Sequence, residues 1–356
     1  MTTSAPKSKS VSSTGQFRAF LDALLSRFPE RSQAIFGLRF GLDDGQEKTL
    51  EEIGKTYSIT RERVRQVVDV MLKKMRTQLK TTKNEPVIDT VHNLLRESAG
   101  VLTLEAIAEH LAKNDLRERQ ALLALIMIIP GLSPIKESEH EKAAVALADF
   151  DREMWQTVID DVAKALKQEN NALYFKELYA LFRQVGSKSG DMPEAELKCW
   201  LSPSKKIEKN VFGQYGLCTW EMIRPRGTRE RAHLILKVIG KPLHFREIAR
   251  LIDEHGLYKA NKKTHPQTVH NELIKDKRFV LVGRGTYALS DWGYTRGTVR
   301  QVLADILKSK ATPMSREELL QEVLKVRQVK KSTVIINLNT FFTKVGKNIY
   351  TLRDQA

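Results

Sequence analysis

The sequence predicts a mainly α-helical protein in which a helix-turn-helix domain is followed by tandem winged-helix modules, each of three helices plus a β-hairpin. Three observations carry this expectation. A capping signature opens two closely spaced amphipathic helices near residue 50, residues 222–356 contain an internal repeat, and basic charge gathers in two separate parts of the chain.

The 356 residues exceed one compact domain of ordinary size, and 41% hydrophobic content is enough to build cores. The formal net charge is +16, the balance expected of a protein whose partner is rich in phosphate. That charge is uneven: +7 over 55–83, −5 over 84–150, near −1 over 151–221, +8 over 222–294 and +7 over 295–356. Two basic regions around a neutral-to-acidic middle suggest two nucleic-acid contacts separated by a spacer or protein-binding segment. Cys199 and Cys218 lack metal-ligand spacing and stand beside no histidine cluster, so neither a disulfide framework nor a metal site is indicated. The longest apolar run, Ala121 to Ile129, is too short to span a bilayer and reads as a buried helix. Residues 1–15, rich in Ser, Thr and Lys, read as a disordered tail.

A first helix is expected around Gln16 to Arg27. Thr49-Leu-Glu-Glu52 has the form of a capping box, which starts a helix just after Thr49. Tyr57-Ser-Ile-Thr60 supplies turn residues and a second N-cap. From Arg61, apolar residues at Val64, Val67, Val68, Met71, Leu72 and Met75 fall along one buried stripe, while Arg61, Glu62, Arg65 and Gln66 share the opposite face. Gly54 lets the two helices approach closely. Arg, Glu and Gln at the N-terminal end of the second helix suit major-groove base edges, since Arg pairs with guanine, Glu accepts from cytosine and Gln reads adenine. Pattern alone leaves a merely solvated charged face open.

The stretch Arg31 to Arg76, with Arg39-Phe-Gly-Leu-Asp43, Thr49-Leu-Glu-Glu-Ile-Gly54 and Arg61-Glu-Arg-Val-Arg-Gln66, closely resembles region 4 of housekeeping, sigma-70-type RNA polymerase sigma factors. In that family the region reads the −35 promoter element and packs on the flap of the polymerase β subunit. The resemblance implies base reading by Arg61, Glu62 and Gln66, and Arg65 on the same face is a further base-reading candidate. The resemblance also implies backbone contacts by Arg31 and Thr49 and a basic patch near DNA at Lys73, Lys74 and Arg76, and Arg63 is a further backbone candidate. Val68, Asp69 and Val70 depart from the family pattern, and an acidic Asp69 near DNA would repel phosphate. The helical domain with an aromatic cluster that melts promoters in that family has no counterpart in the sequence, so unaided promoter opening is not expected.

Further along, Phe279-Val-Leu-Val-Gly-Arg-Gly-Thr-Tyr-Ala-Leu289 aligns without a gap to Phe342-Thr-Lys-Val-Gly-Lys-Asn-Ile-Tyr-Thr-Leu352. Thr268-Val269 parallels Thr333-Val334, each opening a helix. The repeat reads as three helices and two strands joined by a tight turn. Residues 222–294 resemble the HARE-HTH domain through Lys241-Pro-Leu-His-Phe-Arg-Glu-Ile248 and the Gly-Arg-Gly strand pair. That domain is a winged helix of the polymerase delta subunit, some restriction systems and chromatin-linked proteins, and the resemblance implies no catalysis. Leu173 to Leu178 with Phe212 to Leu217, and Val87 to Leu111, look like weaker copies.

The layout expected is therefore a tail over 1–15, a region 4-like domain over 16–83, an acidic helical or winged-helix-like module over 84–150, a winged-helix-like module over 151–221, a HARE-HTH winged helix over 222–294 and a last winged helix over 295–356. Candidate phosphate contacts in the last two are Lys262, Lys263, Lys277, Arg278, Arg284, Lys330, Lys331 and Lys347. Trp220, Trp292, Tyr287 and Tyr350 are expected to pack as core, and the scattered histidines to lie at the surface or cap helices.

No nucleotide loop, nucleophile elbow or His-Glu-x-x-His pattern appears. The expectation is a cytoplasmic, nucleoid-associated, non-enzymatic protein with no cofactor, metal, membrane or small-molecule substrate. Its expected partner is double-stranded DNA, and RNA polymerase core through the β flap is a further candidate. Three functions fit: a sequence-specific transcription regulator reading a −35-like element, a delta-like polymerase accessory subunit, or the DNA-recognition component of a restriction or defence system.

Overall fold

The computed structural model describes residues 15–81, 85–185, 191–258, 263–294, 297–327 and 329–353. Four helices come first: α1 (Gln16–Leu25), α2 (Glu30–Phe40), α3 (Leu50–Tyr57) and α4 (Arg61–Thr81). The order helix, strand, helix, helix, strand, strand then recurs four times. The first module is α5 (Pro86–Glu97), β1 (Val101–Thr103), α6 (Leu104–Leu111), α7 (Leu116–Ile126), β2 (Leu132–Ile135) and β3 (Ala144–Leu147). The second is α8 (Arg152–Glu169), β4 (Leu173–Tyr174), α9 (Phe175–Val185), α10 (Glu194–Leu201), β5 (Ile207–Lys209) and β6 (Gln214–Leu217). The third is α11 (Thr228–Ile239), β7 (Leu243–His244), α12 (Phe245–Glu254), α13 (Pro266–Lys275), β8 (Phe279–Gly283) and β9 (Thr286–Leu289). The fourth is α14 (Val299–Lys310), β10 (Met314–Ser315), α15 (Arg316–Val326), α16 (Lys331–Phe341), β11 (Thr343–Gly346) and β12 (Ile349–Thr351).

This is the fold class that the sequence predicts, with one addition. Each module has a third, very short strand before its second helix, and the last strand lies between it and the other hairpin arm. Leu243 pairs with Tyr287, and Met314 with Tyr350, both antiparallel. Strands of two or three residues are too short to show alternation, and their partners lie some 40 residues away in the chain.

Contacts divide the chain into two compact units, Met1–Asn171 with Lys176–Glu208, and Ala172–Phe175 with Lys209–Ala356. The division passes through the second module, with α8 and α10 in the first unit and β4 and β6 in the second.

In the first unit the apolar core does not stop at residue 83. Phe17, Leu21, Phe36, Val64 and Met75 belong to the same buried cluster as Val91, Ile107, Leu122 and Leu125 of the first module. Helix α1 starts after Gly15 with no capping side chain of its own. The buried carboxylate of Glu118, on α7, accepts from the backbone N–H groups of Phe17 (3.0 Å) and Arg18 (2.8 Å) instead. An anion at a helix N-terminus satisfies donors that otherwise go unpaired. Leu116 packs so closely on Gly45 that a Cβ there would come within 2.2 Å of Leu116 Cδ2. Of the run read as a buried helix, Ala121 to Ile126 lies in α7, where Ala121, Leu122, Ala124 and Leu125 are fully buried, whereas Met127 to Ile129 follow the helix end. Farther on, Trp155 Nε1 donates to Trp200 O (2.8 Å) and Trp200 Nε1 to Ala99 O (3.0 Å).

In the second unit, the third and fourth modules each enclose their own core. Both place a buried tyrosine from the last strand against the third helix. Tyr287 OH meets His270 Nδ1 at 3.0 Å, and Tyr350 OH donates to Asn339 Oδ1 at 2.7 Å. A buried phenol needs such a partner. Trp220 and Trp292 are half-buried rather than enclosed. Among the described residues no helix is long and apolar enough to cross a membrane, and no three His, Cys, Asp or Glu side chains gather as metal ligands.

Candidate nucleic-acid interface

Helix α3 begins with the capping box read from the sequence. Thr49 N donates to Glu52 Oε2 (2.8 Å), and Glu52 N donates to Thr49 Oγ1 (3.2 Å). Hydrogen bonds donated to its carboxylate by the Thr49 backbone N–H and the Thr49 hydroxyl hold Glu52 below the usual carboxylate range. The helix ends at Ser58, which is left-handed with φ 53°. Thr60 then caps α4, its Oγ1 accepting from Arg63 N at 3.2 Å. Gly54 faces this turn, and an added Cβ would lie 2.7 Å from Ile59 O. The tight crossing of the two helices therefore depends on a residue without a side chain at 54.

On α4 the buried stripe is Val64, Val68, Met71, Met75 and Leu79, with Val67 and Leu72 half-buried. The opposite face is open: Arg61, Glu62, Arg63, Arg65 and Gln66 are all exposed. Arg61 makes no hydrogen bond or ion pair among the described residues. Arg63 Nη1 donates to Gln66 Oε1 at 3.3 Å. Arg65 is held on both sides. Its Nε and Nη2 donate to Glu62 (3.0 and 2.6 Å), and its Nη1 donates to Asp69 (2.6 Å). The bond to Glu62 leads in raising the Arg65 pKa, and the same bond lowers that of Glu62.

The residues expected at the phosphate backbone divide by what they touch. Thr49 is the helix cap, a role compatible with a phosphate contact at the same N-terminus. Arg31 donates from Nη2 to Tyr57 O (2.8 Å), and its guanidinium stands 5.8 Å from the Tyr57 ring centroid. Lys73 and Lys74 are exposed, and their ammonium groups make no hydrogen bond or ion pair among the described residues. Arg76 reaches the carbonyl of Met127 just past α7, and so ties α4 to the first module.

Of the second unit's candidates, Lys262 lies outside the described residues. Lys263 and Lys277 are exposed before and after α13, and Arg284 is exposed at the hairpin turn between β8 and β9. Lys330 and Lys331 stand exposed at the start of α16, and Lys347 at the turn between β11 and β12. Arg278 differs from these. Its guanidinium meets Asp276 (2.7 Å) and Glu221 (2.7 Å), with Glu230 at 4.0 Å. The hydrogen bond to Asp276 leads in raising its pKa, and the same bond holds Asp276 low. This arginine is half-buried, and its carboxylates already occupy the positions a phosphate would take.

Sequence reasoning missed the Asp69 contact, treating Asp69 as repulsive although the four-residue spacing from Arg65 is an ion-pair signal. It also missed Arg327, which is buried and donates from Nη2 to Leu281 O at 3.0 Å while Nε and Nη1 find no partner among the described residues. Nothing in its local pattern marks an arginine as buried.

The sigma-70 region 4 family model matches residues 24–77, and the HARE-HTH family (ASXL, restriction endonuclease HTH domain) matches 227–292. A relative, the RNA polymerase sigma factor SigA of a Bacillus species, is 48% identical over 56 residues. That alignment covers 16% of this chain and 15% of the relative. Two segments thus carry family likenesses: the first helix-turn-helix is similar to sigma-70 region 4, and the third winged helix is similar to HARE-HTH domains.

Proposed function

We propose that this protein is a sequence-specific DNA-binding transcription regulator, sigma-factor-like, in which α4 reads a −35-like promoter element. Arg61, Glu62, Arg65 and Gln66 face the bases, while Thr49, Arg63, Lys73 and Lys74 meet the backbone. The observation that carries this reading is the open polar face of α4, set opposite a buried stripe and capped by the turn at Gly54. Basic side chains of the third and fourth modules add phosphate contacts that carry no sequence information of their own. Strand separation is not part of the proposal. The first four helices and the first module act as one body because they share a core.

DNA bound in cells, sequenced and mapped against promoters, tests the reading. Enrichment at one recurring motif near transcription starts is the expected result. Uniform coverage of the genome would contradict it. A second reading, an accessory subunit docking on the polymerase β flap, is favoured by the likeness to a polymerase sigma factor. It requires co-purification with core polymerase that survives both nuclease treatment and Arg61→Ala.

A further inference from the structure

Arg65 has an acidic partner one turn away on either side along α4. All three side chains of the Glu62–Arg65–Asp69 set are more than half exposed, so the surrounding packing does not force them together. Glu62 takes Nε and Nη2, and Asp69 takes Nη1, so every nitrogen of the guanidinium is engaged. The set carries one positive and two negative charges. Arg61, one turn earlier on the same face, has no such partners among the described residues.

A free guanidinium gains from any phosphate, whatever the base sequence. An engaged one must exchange carboxylate oxygens for acceptors that match its geometry equally well, and a guanine edge offers two. We propose that Asp69 is a specificity-determining positioning residue: it holds Arg65 beside Glu62, withholding the guanidinium from the backbone of unmatched DNA and releasing it to a matching base edge. The inference rests on α4 being the DNA-reading helix. It differs from simple repulsion of phosphate by Asp69, because repulsion acts whether or not Arg65 is present and holding does not.

A double-mutant cycle on the full chain separates the two. The parent, Asp69→Asn, Arg65→Gln and the double variant are titrated with two duplexes, at 50 and 200 mM salt. One duplex is selected by the parent from a random pool and the other is its scramble. With Arg65 present, Asp69→Asn is expected to tighten the scrambled duplex roughly threefold at low salt and to steepen its salt dependence by about one counterion. The selected duplex should gain less, so discrimination falls. Asp69→Glu, which keeps a carboxylate in reach, should restore the parent's discrimination. In the Arg65→Gln background the gain should vanish.

An equal gain with and without Arg65 overturns the proposal in favour of repulsion, and the absence of any gain beside Arg65 overturns it outright. Failure of the underlying reading looks different: the parent then selects no sequence, or Arg61→Ala leaves its preference intact.

Discussion

At position 54 a single missing methyl group sets how α3 and α4 cross, because the space belongs to the Ile59 carbonyl. Gly54→Ala must push that turn apart, and the expected loss is about 1–3 kcal/mol of stability. Thermal melting measures it, and an unchanged midpoint would show that the turn yields freely. Asp276 is a second decisive residue. Hydrogen bonding to Arg278 depresses its folded pKa, so its contribution to stability is present above the usual carboxylate range and lost as pH falls through the folded value. Asp276→Asn should therefore destabilise the second unit at neutral pH, and the gap between variant and parent should close as pH falls below the usual carboxylate range. Denaturant midpoints across pH check this, and a gap that widens in acid would contradict it. The exposed tips Lys263, Arg284, Lys331 and Lys347 need no such accounting, since each projects into solvent.

Among the elements, α3 and α4 were the most legible, because their signals are local. A capping box, a turn and an apolar stripe all lie within about thirty residues of one another. The repeat gave the third helix and hairpin of the last two modules for the same reason. The short strands β1, β4, β7 and β10 were not legible, since each exists through pairing with a distant strand. Nor was the seating of α1 on α7, where the decisive contact joins residues about 100 positions apart. Glu118 in isolation looks like one more acid on a helix. Its burial against two backbone donors makes Glu118→Ala expensive, by about 2 kcal/mol or more. Urea unfolding of the full chain should show that loss in the transition that reports the first unit. A change within about 0.5 kcal/mol would mean that α1 is held by its apolar face alone.

Across the whole molecule, charge divides along the chain as the folded units require. The acidic 84–150 segment shares a core with the first four helices, so the exposed face of α4 that is proposed to read DNA stands beside a segment that phosphate does not attract. The second unit carries basic residues at helix starts and hairpin turns, where a duplex backbone can be met. Changing Lys263, Arg284, Lys331 and Lys347 to Gln should lower the salt dependence of binding by up to about four counterions. The selected sequence should stay the same. A changed sequence preference, with the salt dependence intact, would place base reading in the second unit instead.

Everything proposed for this protein depends on α4 reading base edges. Sequencing the duplexes that the full chain retains from a random pool, beside those retained by Arg61→Ala, tests it most directly. One motif is expected for the parent, and loss of discrimination at a single base position for the variant, worth roughly 1–3 kcal/mol there. Identical motifs from both proteins, or a variant that binds every sequence equally more weakly, would contradict it.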